Sequence, residues 1–340
     1  MLNMVNQPAL LYGFLQIGVV ITFGVAAARA WRHSRPRLVE LITAFLFGLL
    51  LEQGDIFLFG TYRYNENWIL LGDVAVAIAL AWAMIIVGAM NISDALGLPD
   101  ATTVIWTSES FGTLRWLVRG LPAPLADAVW AILLDLALDA VAIRLGLWTW
   151  TIRLNQGWFG VPWGNFFAWL FVAFWFSFFT RLVRANRAKG GSNTWQWLVP
   201  LFSFIGLIVT LVPFVALEND AALSFMPHNT LGADYHEQVW VLFGLTLSVF
   251  VTITVFSLWR RRRIPREQPD EWLLVIRLGI HLLFLFALIM TGIAFDLPIL
   301  LIVALAMFGI ELVLIRSWIL NFISTTRGIL VQAIESRSNT

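Results

Sequence analysis

The chain has 340 residues, 59% hydrophobic and 13% charged, with a mean hydropathy of +0.80, which is more apolar surface than a water-soluble domain can bury. The absence of cysteine excludes disulfides, thiolate nucleophiles and thiolate metal sites. A net charge of +1 argues against nucleic acid as a partner.

The expected fold class is all-α, a polytopic transmembrane helical bundle of about nine helices. Apolar runs of spanning length fall at 9–28, 38–59, 68–90, 124–146, 164–183, 195–217, 238–259, 272–293 and 298–320, each near the roughly 20 residues a bilayer requires. No basic region precedes the first run and no small-residue cleavage site follows it, so that segment is expected to be retained. Val104 to Val118, interrupted by Ser108, Glu109, Ser110 and Arg115, is expected to lie on the membrane surface. Short loops leave no room for a soluble domain, so residues 1–323 are read as one integral membrane domain and 324–340 as a polar cytoplasmic tail.

Basic residues orient the runs, because Arg and Lys collect in cytoplasmic loops. Arg29, Arg32, Arg35 and Arg37 follow the first run, and Arg115 and Arg119 the third. Arg181, Arg184, Arg187 and Lys189 follow the fifth, and Arg260 to Arg263 the seventh. The alternate loops carry Arg63 or Arg153 singly, or the acids Glu218, Asp220, Asp234 and Glu237. This pattern predicts a multi-pass protein of the cell membrane with its N-terminus outside and its C-terminus cytoplasmic. Trp31, Trp68, Trp106, Trp195, Trp240, Trp259, Trp272 and Trp318 lie near predicted helix ends, where indoles settle among headgroups.

Two hairpins, about 38–90 and 124–183, share a pattern. In the first, Glu52 and Asp55 precede Gly60-Thr61-Tyr62-Arg63-Tyr64, then Gly72 and Trp82; in the second, Asp135 and Asp139 precede Gly146-Leu147-Trp148-Thr149-Trp150, then Gly160-Val161-Pro162, Asn165 and Trp169. Repeats of this kind often place a site between their halves. At 1.5 Å per residue Glu52, Asp73 and Asp139 fall at similar depths on the expected outer side.

A carboxylate deep in a span costs roughly 2.5–3.5 kcal/mol on insertion scales and normally faces the bundle interior. Crowded carboxyls repel one another as anions, so one of the cluster is expected to keep its proton and act as a general acid. Glu52, Asp135 and Asp139 are the catalytic candidates; Asp135 and Asp139, four apart on one helix face, suit an acid and a water-positioning base, with Glu52 an equal rival for either role. Tyr62, Tyr64, Asp73, Trp148, Trp150, Asn165 and Trp169 are the candidate substrate-binding residues, with Trp163 in the same aromatic wall, which suits a long apolar substrate and steadies a cation. A protonated alkene of an isoprenoid, trapped by water, fits this inventory. For each acid an inter-helix hydrogen bond is the competing structural reading, and for each aromatic it is packing.

Elsewhere the sequence offers less. His228, Asp234, His236 and Glu237 could bind a metal, but their irregular spacing in a polar loop favours solvation, and His281, Asp296 and Glu311 read as inter-helix hydrogen bonds or a proton path. Gly60 and Gly146 read as helix ends and Pro162 as a helix start. There is no phosphate-binding glycine loop and no paired Asp-rich motif for magnesium.

The run Gly146-Leu147-Trp148-Thr149-Trp150, followed by Trp158-Phe159-Gly160-Val161-Pro162-Trp163-Gly164-Asn165-Phe166-Phe167-Ala168-Trp169, resembles the carotenoid biosynthesis protein family that contains the carotenoid hydratases. Glu52, Tyr62-Arg63-Tyr64 and the stretch to Trp82 are similar to that family's earlier motif, so the resemblance covers about residues 40–185. It departs where members commonly carry Gly-Val-Pro and this chain has Gly72-Asp73-Val74, which implies a divergent member. The resemblance implies a cofactor-independent hydratase that adds water across a terminal carbon–carbon double bond of a carotenoid. Its partners would be the apolar isoprenoid substrate, membrane lipid and other membrane enzymes of the pathway. A proton-initiated carotenoid cyclase is the nearest alternative; a non-catalytic carotenoid or lipid carrier, or a transporter, is the alternative from another class.

Overall fold

The computed structural model describes residues 8–58, 60, 62–102, 118–219, 239–260, 269–316 and 318. The expected surface segment before Val118, the loop carrying His228, Asp234, His236 and Glu237, and the tail 324–340 lie outside these residues.

The described helices are α1 (Pro8–His33), α2 (Arg35–Leu58), α3 (Val76–Ala95), α4 (Pro122–Arg144), α5 (Trp163–Ala188), α6 (Val199–Asn219), α7 (Val239–Arg260), α8 (Glu271–Met290) and α9 (Pro298–Arg316). All except α4 are long and apolar enough to cross a membrane. The chain is a multi-pass helical membrane protein. Helix α4 has the length of a span, and the charges it carries, including Asp127, Asp135 and Asp139, all buried, lower its hydropathy. It lies at the centre, packed on α3, α5, α7 and α8, so its acids meet protein rather than lipid.

Two short strands, β1 (Tyr62–Tyr64) and β4 (Trp148–Trp150), pair antiparallel with Tyr62 opposite Trp150, Arg63 opposite Thr149 and Tyr64 opposite Trp148. The strands β2 (Leu70–Leu71) and β3 (Val74–Ala75) form a hairpin turned by Gly72-Asp73. This corrects the expected span 68–90: the helix starts only at Val76, because Gly72, at φ +64°, turns the chain back on itself. Trp68 is likewise no headgroup anchor. It is 6% exposed and donates its indole N–H to the carbonyl of Leu147.

The repeat is real in three dimensions. Adding 87 to a residue number takes the first residue of α2 (Arg35) to that of α4 (Pro122) and the first of α3 (Val76) to that of α5 (Trp163). The strands are offset by 86, and their register maps onto itself when the halves are exchanged, as a pseudo-two-fold axis through the Arg63–Thr149 pair requires. Each hairpin is closed by tight backbone geometry. At Gly48 a Cβ would stand 2.9 Å from the carbonyl of Ala79, so glycine lets α2 and α3 touch. At Gly146 (φ +74°) the chain leaves α4 with Leu147 N–H bonding Ala142 C=O, which points the strand across the bundle end. Helix α6 closes the first hairpin against the second through α2 and α5, while α1 and α8 cover α3 from the other side.

Candidate active site

Near the paired strands β1 and β4, Glu52 of α2 and Asp139 of α4 occupy equivalent positions of the two halves and line one cavity of about 800 Å³. Both are buried. Alternate residues of a strand share a face, so Tyr62 and Tyr64 both point their hydroxyls at Glu52, and each donates to its Oε2. Trp82 of α3 donates its indole N–H to Oε1 at 2.5 Å. Burial first, then the Glu52 charge, pushes both phenols well above the ordinary tyrosine range, so they remain donors at any physiological pH.

The second half is built differently. Asp135 and Asp139 lie one helical turn apart, and the Asn165 side-chain amide donates to both, at 3.1 Å and 2.6 Å. The Trp148 indole also lies against Asp139. Asp135 is wholly buried behind Asn165, outside the cavity lining, and its Oδ1 has no hydrogen-bond partner among the described residues. Two carboxyls thus share one amide, where Glu52 alone receives three donors.

Aromatic rings make the walls. Tyr62 packs on Trp150 at 4.9 Å and Tyr64 edge-on to Trp148 at 6.5 Å. Trp82 and Trp169, each six residues into its helix and 87 apart in sequence, meet at 4.1 Å between ring centroids. The equivalence continues down the wall, since Ile78, Ala81 and Ile85 of α3 match Asn165, Ala168 and Val172 of α5, and all six line the cavity. The indole N–H of Trp150, also on the lining, has no hydrogen-bond partner among the described residues.

Of the residues singled out from sequence, Glu52, Tyr62, Tyr64, Asp139, Trp148, Trp150, Asn165 and Trp169 share the cavity. Asp135 stands behind it. Asp73 is exposed and lies off the lining; its backbone N–H donates to Gln53 and its carboxylate accepts from the Gln53 amide at 3.0 Å, which fixes the β2–β3 turn. Trp163 packs on Trp158 and Phe243, beside the site rather than in it. Sequence reasoning noted Trp82 only as a mark of the repeat. Its pairing with Trp169 at a spacing of 87 was the signal that it belongs with the site.

Other buried charges lie elsewhere. Arg181, read as a loop residue from sequence, is fully buried on α5 and pairs with Asp94 at 2.5 Å, Asp127 at 2.9 Å and Asp100 at 3.1 Å. Arg184 pairs with Glu40 and Asp94. Arg277 of α8 pairs with Glu311, which also bonds His281, and donates to the carbonyls of Ile85 and Trp130. Asp296 is exposed and does not join that group. Among the described residues no three acids or histidines come together in a way that would hold a metal ion.

The model of the family described as carotenoid biosynthesis protein matches residues 10–229, well over half of the chain. That stretch contains both hairpins and every acid of the site. No curated protein and no solved structure matches the chain.

Proposed function

The chain belongs to the carotenoid biosynthesis protein family, and from that premise we propose that it is a membrane-embedded hydratase of a carotenoid or related isoprenoid end group. The observation that carries this reading is that Glu52 and Asp139 line one aromatic-walled cavity.

In the proposed reaction, Asp139 transfers its proton to the terminal carbon–carbon double bond, leaving a tertiary carbocation and a carboxylate. The proton is assigned to the Asp135–Asp139 pair because Asn165 and Trp148 are the donors these two carboxyls have between them, whereas Glu52 alone is supplied with three. Glu52 serves as the anion that stabilises the cation. Its Oε1, with only Trp82 bonded, accepts a proton from water as the water oxygen bonds to the cation. Proton return from Glu52 to Asp139 through a second water closes the cycle, so the net change is the addition of one water. The rings of Tyr62, Tyr64, Trp82 and Trp169 offer their π faces to the cation, at about 2 kcal/mol for a desolvated ring. The free Trp150 N–H is a ready donor to the oxygen of the attacking water or of the product alcohol.

We also propose that the β1–β4 end faces outward, as the distribution of basic residues suggests.

The test is expression in a carotenoid-producing bacterium that lacks hydratases, with extracted pigments weighed from ordinary and oxygen-18 water. A product one water heavier that carries the heavy oxygen supports hydration. A new pigment of unchanged mass would replace it with cyclisation, in which a second double bond traps the same cation. Unchanged pigments with folded protein would point to a carrier or transporter.

A further inference from the structure

The cavity is walled tightly on one side and open on the other. On the α6 side, glycines are filled by their neighbours: a Cβ at Gly54 would stand 2.5 Å from the Phe204 ring, and one at Gly206 would stand 2.7 Å from the Trp175 ring. Trp175 also bonds Thr210. On the other side α1 and α8 are pinned together near one end, by Arg29 to Asp270 at 2.9 Å and by the Trp272 indole on the carbonyl of Thr22. Beyond those contacts both helices line the cavity, and Phe14 of α1 and Gly279 of α8 are exposed while also on its lining. Gly18 of α1 and Gly279 of α8 are both on the lining, and a Cβ at either would meet nothing within 4 Å among the described residues. From Trp272 to Phe284 the groove follows α8 for roughly 18 Å at 1.5 Å per residue.

We propose that this cleft between α1 and α8 is a lateral portal to the lipid, in which the polyene chain of the substrate lies while its end group reaches Glu52 and Asp139. The proposal rests on the hydratase reading for the identity of the end-group chemistry, and on the shape of the cavity for the route. A forty-carbon polyene is comparable in length to the hydrocarbon core of a bilayer, about 30 Å. A groove of this length cannot enclose it, so the far end must leave the protein, and it leaves where the wall is open and apolar. Entry from the lipid also spares the chain a passage through water. Gly18 and Gly279 leave room there for a chain that crosses between the helices.

The experiment uses the full chain in membranes, with Gly279→Trp and Gly18→Phe as portal variants and Gly309→Trp as the control. Gly309 is equally free of neighbours and lies off the cavity lining. Two readouts are taken: turnover of a forty-carbon acyclic carotene relative to a ten-carbon acyclic alkene, and forty-carbon pigment retained per protein after purification. The portal variants should lower the turnover ratio and the retained pigment by about tenfold, the effect of about 1.4 kcal/mol of overlap, while the control matches the unaltered protein. Turnover ratios and pigment retention unchanged in both portal variants would overturn the portal. If retained pigment falls in the portal variants but no form of the protein hydrates anything, the portal stands and the hydratase reading fails. If the unaltered protein neither retains nor hydrates pigment, both fail.

Discussion

Glu52 and Asp139 hold equivalent positions of the two hairpins, 87 apart in sequence, and both line one cavity. Their surroundings have diverged. Glu52 is wrapped by Tyr62, Tyr64 and Trp82, while Asp139 shares Asn165 with Asp135. A symmetric frame has thereby acquired two chemically different carboxyls, as acid-initiated addition of water requires.

Removing either carboxyl's acid–base function should stop the proposed reaction without unfolding the protein. Glu52→Gln and Asp139→Asn keep shape and are expected to lower turnover by about 10²–10⁴. Product mass and yield per folded protein check this; near-normal turnover in either variant would remove that residue from the mechanism.

Asn165→Leu leaves Asp135 and Asp139 without their shared donor. The loss of a buried hydrogen-bond partner is expected to cost about 1–3 kcal/mol, read as a lower thermal midpoint in detergent, together with a fall in turnover. Asp135→Asn, behind the amide and off the cavity, should reduce turnover less than Asp139→Asn. Equal effects would mean that Asp135 reaches the substrate.

Arg181→Met should be the most damaging of the changes away from the cavity. It strands Asp94, Asp100 and Asp127 without their common cation, and breaking a buried pair from one side costs about 3–5 kcal/mol. The measure is folded yield and thermal midpoint, with the protein's chemistry unchanged per folded molecule.

At high pH the tyrosines by Glu52 oppose ionisation. Their folded-state pKa lies above that of the unfolded chain, so the folded form holds more protons once pH passes the ordinary tyrosine range near 10, and stability falls as pH rises further. Phenolate absorbance should show Tyr62 and Tyr64 ionising late, together with unfolding, and the late signal should fall by the share of two tyrosines in the Tyr62→Phe, Tyr64→Phe double variant.

Gly48→Leu should separate α2 from α3, because even a Cβ at that position meets the Ala79 carbonyl at 2.9 Å. Overpacking of this kind costs about 1–3 kcal/mol, and the shift of Glu52 relative to Trp82 should show as quenching or a spectral change of the buried tryptophans.

By itself the sequence determined the solvent, the positions of the helices, the hairpin repeat and the residue types of the site. These are local properties: a span must satisfy its own backbone hydrogen bonds and match the bilayer with its own side chains, and a repeat is visible in spacing. The tertiary structure alone decided which acids meet. Asp135 and Asp139 share a helix face, yet only Asp139 borders the cavity; Asp73 turns to Gln53; Arg181, counted among loop residues, is buried against three acids; and α8, far along the chain, supplies one wall. Such facing depends on how helices distant in sequence rotate and pack, and hydropathy, averaged around each helix, does not contain it.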